Sequence, residues 1–251
     1  MNPMTSCCLI VGCFWLAIFC GSSTCMLAYN DDHPHKWEML YLVHQWPVTV
    51  CKMNDHDCKD PILYWTIHGL WPDKAEDCNS TWHFDMSEIK DLMDDMNKYW
   101  PDVIHPNHTR FWKHEWDKHG TCAASLESLN SQKKYFGKAL DVYKKIDLNS
   151  YLLKIGIKPG NSSLQLAAIR DALTSIYNVT PKIQCLAPEE GQLQTLAQIK
   201  FCLTKEFTLR NCTEPKSDSP PAHEDHFFKM ENLLNCNDTL VYYPSHVHLY
   251  K

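Results

Sequence analysis

Phe111-Trp-Lys-His-Glu-Trp-Asp-Lys-His-Gly-Thr-Cys122 sets two histidines, a carboxylate and a lysine within six residues, between a tryptophan-rich lead-in and a cysteine. Wound as an α-helix, each residue advances roughly 100° about the axis. With His114 at zero, Lys118 falls at about 40°, Glu115 at about 100° and His119 at about 140° by the same geometry. Trp116 and Asp117 face the other way. Every group able to move a proton or hold an anion thus shares one face, and Gly120 is predicted to end the helix.

Such a cluster is ordinarily a solvated helix face. Zinc is the next rival, because His-Glu recurs in metalloprotease helices. There the histidines sit four apart, so that both point at one metal. Here His114 and His119 are five apart, and no other cluster has a familiar ligand spacing. The reading is therefore a site with neither metal nor cofactor.

A chain of 251 residues suits one domain. The first 24 residues carry no charged side chain. An apolar core from Leu9 to Phe19 leads into the small residues Gly21-Ser-Ser-Thr-Cys25. Residues 1–24 read as a secretory leader without the usual positive start, leaving a domain of residues 25–251. The apolar run is short for a membrane span, and His248-Leu-Tyr-Lys251 carries no retention or anchor motif. Beyond the leader and Cys25, eight cysteines remain, an even set that suggests four disulfides in an exported chain while leaving 105 pairings open. Glycosylation sequons at Asn79, Asn107, Asn161, Asn211 and Asn237 agree with that route, as does a poorer one at Asn178, where Pro181 follows Thr180.

The net charge is −6 with histidines neutral, which does not favour nucleic acid at pH 7. Most of the 14 histidines would be charged near pH ~5, and the balance would turn positive. Acid conditions thus leave room for a polyanionic ligand.

Strands and helices alternate irregularly. Met39 to His44 and Tyr64 to His68 read as buried strands. Ser87 to Trp100 is predicted as a helix, with Ile89, Leu92, Met93, Met96 and Trp100 on one stripe and Pro101 after the last turn. Gln132 to Ile146 and Ser163 to Tyr177 are further amphipathic helices. Lys182 to Leu186, Gln198 to Leu203 and Leu240 to Tyr243 read as late strands, and Glu214 to His226 as a polar, proline-rich loop. The class is α+β.

The second unusual segment is Tyr64-Trp-Thr-Ile-His-Gly-Leu-Trp-Pro-Asp73. It puts His68 at the end of an apolar strand, where the chain is expected to leave the core. Alone, His68 would be a structural histidine and Trp71 packing. Together, the two segments resemble the paired signature of the ribonuclease T2 family, and Leu42-Val-His-Gln-Trp-Pro47 is similar to that family's opening strand. The resemblance spans roughly residues 37 to 243, and Asn149 to Pro159 and Pro181 to Cys185 suggest an animal secreted or lysosomal member.

The resemblance implies a disulfide-stabilised single domain with a central antiparallel sheet flanked by helices. It implies a monomeric endoribonuclease without a membrane anchor, acting on single-stranded RNA in the secreted or lysosomal lumen. His119 would be the base and His68 the acid, with Glu115 and Lys118 stabilising the phosphoryl transition state and His114 contacting phosphate. Trp71 and Asp73 match positions that stack on and hydrogen-bond to the first base, and Phe111 faces the second. Stacking tolerates every base, so low specificity follows. The family pattern also implies disulfides Cys51–Cys58, Cys78–Cys122, Cys185–Cys236 and Cys202–Cys212. A different class, a secreted glycoprotein acting by surface binding alone, is disfavoured by the intact His68, Glu115, Lys118 and His119.

Overall fold

The computed structural model describes residues 36–54, 58, 60–106, 108–212 and 233–246. The leader, Asn107, the loop from Glu214 to His226 and residues 248–251 lie outside these described residues. The chain runs through β1 (Leu40–Gln45), α1 (Pro47–Met53) and β2 (Thr66–Pro72), then a 3-10 segment, Met86–Leu92, continued by α2 (Met93–Tyr99). Next come α3 (Arg110–Glu115), which passes directly into a π turn at Trp116–Gly120 and a last α turn at Thr121–Ala123, then α4 (Gln132–Ile146) and α5 (Leu148–Lys154). The remainder is β3 (Ser163–Gln165), α6 (Leu166–Tyr177), β4 (Lys182–Leu186), β5 (Gln194–Leu203), β6 (Leu209–Arg210), β7 (Leu233–Asn235) and β8 (Leu240–Tyr242).

The sheet order is β2-β1-β5-β4-β7, antiparallel throughout, with β6 antiparallel to β5. Among the described residues the antiparallel rule breaks once, where β8 pairs parallel with β5 while also holding β3. Alternation along β1 explains how the sheet is buried on both faces. His44 stacks on Tyr143 of α4 and meets Phe201 edge-on, so Leu40, Leu42 and His44 face the helices. Tyr41, Val43 and Gln45 face the opposite way, toward the side chains of the site described below.

Helix α4 begins at Ser131, whose hydroxyl accepts from the Lys134 amide. It buries Tyr135, Phe136, Ala139, Leu140, Tyr143 and Ile146. Two of these tyrosines do more than fill space. Tyr135 donates to the carbonyl of Leu70 at 2.9 Å and Tyr143 to that of Trp65 at 2.6 Å. Trp100 donates to the carbonyl of His68 at 2.7 Å. Each such bond contributes about 1 kcal/mol net, and a carbonyl left buried without one would cost more. Strand β2 is thereby held from the core side on both sides of His68.

Several sequence-based expectations are corrected. The segment from Ser87 to Trp100 is split into a 3-10 half and an α half, although Ile89, Met96 and Trp100 are fully buried as the stripe required. Ser163–Gln165 is not helical: it extends to pair with β8, an edge partner that overrides local helix preference. Strand β2 does not end at His68 but continues to Pro72. Gly120 does not end its helix, which runs on through Ala123. A Cβ on Gly120 would lie 2.3 Å from the Trp116 ring, so this glycine serves packing. Four disulfides form, Cys51–Cys58, Cys78–Cys122, Cys185–Cys236 and Cys202–Cys212, the pairing the resemblance implies. Asn79, Asn161, Asn211 and Asn237 are all exposed.

Candidate active site

His68 is the odd residue of a β-bulge. Val43 pairs with Gly69 and His44 with Ile67, so His68 has no counterpart on β1. A bulge of this kind re-aims one side chain while the strand continues. The imidazole turns to Gln198 of β5, whose Nε2 lies 2.7 Å from His68 Nδ1. The Gln198 amide thus orients the ring through Nδ1 and leaves Nε2 turned toward the site. That Nε2 sits 3.6 Å from Glu115 Oε1.

Glu115 ends α3, and Lys118 and His119 fall in the π turn that follows. A π turn closes hydrogen bonds five residues apart rather than four. The angles of a regular α-helix do not apply across this segment. The carbonyl of Lys118 accepts from the amide of Asp77 at 2.8 Å, and the Cys78–Cys122 bridge ties the same loop to the last α turn. The loop after the first motif therefore clamps the helix carrying the second.

Trp71 joins the two motifs. Its indole N–H donates to Glu115 Oε2 at 2.8 Å. Its ring stacks on His119, with centroids 5.0 Å apart, and meets His68 edge-on at 4.8 Å. Both imidazoles thus touch one indole, with the Glu115 carboxylate beside them. His68 and Glu115 are fully buried, and His119 and Lys118 expose 3% and 9% of their surface. In so dry a setting, charges and hydrogen bonds act more strongly than in water. Lys118 Nζ lies 3.7 Å from Glu76 Oε2, and His114 is half-buried on α3. Burial, followed by the charge of Glu115, pushes the Tyr135 hydroxyl well above its usual range, which keeps it a donor to Leu70.

Two of the residues expected at the bases have structural contacts of their own. Phe111 is completely buried and tilted against the His68 ring at 5.6 Å, where it forms a wall of the site. Asp73 uses Oδ1 to accept from the amides of Glu38 and Met39 at 2.6 and 2.8 Å, fastening the start of β1. The Trp71 ring is half-exposed but already touches His119 and the Lys200 ammonium, 4.8 Å from its centre.

Sequence reasoning passed over Gln198, Gly69 and Trp100. Gln198 had a legible signal, an amide inside the apolar run of β5. A Cβ on Gly69 would lie 2.0 Å from Trp71 Nε1 and 2.1 Å from Glu115 Oε2, so no other residue leaves room for that hydrogen bond. Among the described residues, no group of three or more His, Cys, Asp or Glu side chains is placed to hold a metal ion.

The sequence matches the profile of the Ribonuclease T2 family over residues 37–212. The chain belongs to the ribonuclease T2 family. It is 51% identical to Ribonuclease T2 of Homo sapiens over 244 residues, covering 94% of each chain. It is 56% identical to Ribonuclease T2-A of Mus musculus over 218 residues, covering 84% of this chain and 83% of that one. The crystal structure of human RNase T2 superposes with a TM-score of 0.72 at 52% identity, covering 84% of this chain and 100% of that one. The two motifs of this T2-type chain thus sit on the bulge of β2 and the π turn after α3.

Proposed function

We propose that this chain cleaves single-stranded RNA within the strand by acid–base catalysis with its own side chains. His119 takes the proton of a 2′-hydroxyl, and the freed oxygen attacks the adjacent phosphorus. The bond from phosphorus to the 5′-oxygen breaks, and His68 gives a proton to that departing oxygen. The product is a 2′,3′-cyclic phosphate and a free 5′-hydroxyl. In the second step the roles reverse: His68 removes a proton from water, the 2′-oxygen leaves with a proton from His119, and a 3′-phosphate remains. Lys118, with the Glu115 hydrogen-bond network, stabilises charge on the phosphoryl oxygens at the transition state. His114 adds a phosphate contact.

The observation that carries this reading is the contact of both imidazoles with Trp71 beside the buried Glu115. Two histidines held across one small site can act as base and acid on a single linkage. A duplex would hold the 2′-hydroxyl away from in-line attack, which favours single strands. Trp71 stacking, where it reaches a base, tolerates all four and gives broad specificity. Residues 1–24 act as a secretory leader, and the four disulfides and exposed sequons suit an oxidising lumen, secreted or lysosomal. The protein acts as a monomer. No helix among the described residues is long and apolar enough to cross a membrane.

The test is an RNA-cleavage assay across pH on dialysed, chelator-treated protein, read by product ends. Cyclic phosphates and then 3′-phosphates are expected, with a bell-shaped profile in the acid range. Loss of cleavage on chelation would overturn the mechanism.

A further inference from the structure

Strand β5 carries a second polar residue beside the site. Lys200 lies two positions beyond Gln198, on the same face of the strand, and its ammonium is 4.8 Å from the centre of the Trp71 ring. The ladder between β4 and β5 places Lys182 directly opposite Lys200 and Gln184 directly opposite Gln198. Directly opposed residues project to the same face. Both lysines are half-buried. The sheet therefore presents a glutamine row at His68 and, one step along, a lysine row at Trp71.

We propose that Lys200 binds a non-scissile phosphate of the RNA chain, one nucleotide from the bond that is cut, and that Lys182 continues this cationic line across β4. The geometry supplies the reach. Lys200 and His119 touch the same indole, so the ammonium stands within one nucleotide step of the reacting phosphorus. Lysine suits this task, because a compact charge on a flexible stem can leave an aromatic face for a phosphate oxygen without precise orientation. The ligand class is a phosphodiester of single-stranded RNA, and the inference rests on the functional reading above.

The experiment compares Lys200→Gln with the unmodified chain on two substrates. One is a single-stranded oligoribonucleotide; the other is a nucleoside 2′,3′-cyclic phosphate, which has no neighbouring phosphate. Turnover of both by the unmodified chain tests the functional reading by itself. For Lys200→Gln, KM on the oligonucleotide is expected to rise roughly threefold at moderate salt, the share of one phosphate contact, with kcat nearly unchanged. The plot of log(kcat/KM) against log salt should become shallower by about 0.7, and Lys200→Arg should restore it. Hydrolysis of the cyclic mononucleotide should not change, which also shows that the variant is folded. An equal loss on both substrates would make Lys200 a positioning residue for Trp71 and overturn the proposal. An unaltered salt slope would do the same.

Discussion

The indole N–H of Trp71 reaches Glu115 Oε2 at 2.8 Å across the bare Cα of Gly69. This bond ties the first motif to the second inside a dry site, and it exists because residue 69 has no side chain. In Gly69→Ala the new methyl would sit 2.0 Å from the donor and 2.1 Å from the acceptor. Neither atom can yield easily, since Glu115 is fully buried and Trp71 rests on His119. We expect kcat/KM to fall by about 100-fold, the cost of misplacing catalytic groups by an ångström, and stability by about 1–3 kcal/mol from overpacking. Steady-state kinetics and urea unfolding check the two parts. Wild-type turnover by Gly69→Ala would show that the Trp71–Glu115 bond is dispensable.

Gln198 orients the His68 imidazole through its Nδ1 side. Removing the amide in Gln198→Leu leaves Nδ1 without its 2.7 Å neighbour. The ring then loses the contact that aims Nε2 at the leaving oxygen and, in the second step, at the attacking water. A fall in kcat of about 10- to 100-fold is expected with KM little altered, because general acid–base catalysis contributes about 10²–10⁴-fold in full. Nitrogen NMR of the imidazole reports the hydrogen bond at Nδ1 directly. An Nδ1 resonance unchanged in Gln198→Leu would refute this role.

The parts of the fold carried by periodicity were readable: the buried stripe of α4, the strand of β1 and the late strands all follow from side-chain alternation. The two devices that build the site were not. The bulge at His68 depends on how β2 registers against β1, and no local pattern encodes a register slip. The π turn at Trp116–Gly120 is set by Asp77, Cys78 and the Trp116–Gly120 contact, all tertiary or nearly so. The histidines, Glu115 and Lys118 could be listed from the motifs, but a regular α-helix misplaces them. For Phe111 and Asp73 the motifs show an aromatic ring and a carboxylate near catalytic residues, but not the burial of the one or the backbone partners of the other.

His44 links the core to pH. Burial drives its pKa from 6.5 down to about 3, and the nearby carbonyls of Ile199 and Leu42 pull it back only in part. Neither ring nitrogen makes a well-formed hydrogen bond to a described residue. Because the folded value lies below the unfolded one, the full stability is present above pH ~6.5 and drains away as the pH falls toward the folded pKa. Between pH 7 and 5 this single group should remove about 2 kcal/mol. His44→Gln cannot gain a proton, so its unfolding free energy should depend less steeply on pH over that interval, even if it starts lower at pH 7. Urea denaturation at both pH values measures the difference. Parallel pH dependence in the two proteins would mean that His44 is not neutral in the folded core.

Asp73 separates a structural role from base reading. Its Oδ1 accepts from two amides at the entry to β1, and its carboxylate is nearly enclosed. Oδ2 lies 3.8 Å from the Lys74 ammonium. Asp73→Ala would leave the Glu38 and Met39 amides without their acceptor, and hydrogen bonds to a charged group contribute about 1.5–3 kcal/mol each. We expect a loss of stability of that order while the preference among dinucleotide substrates stays as in the unmodified chain. Both quantities come from one preparation: an unfolding curve and relative kcat/KM values on a set of dinucleotides. A changed order of dinucleotide preference with little loss of stability would return Asp73 to the base site. The two backbone bonds would then be a resting arrangement that substrate displaces.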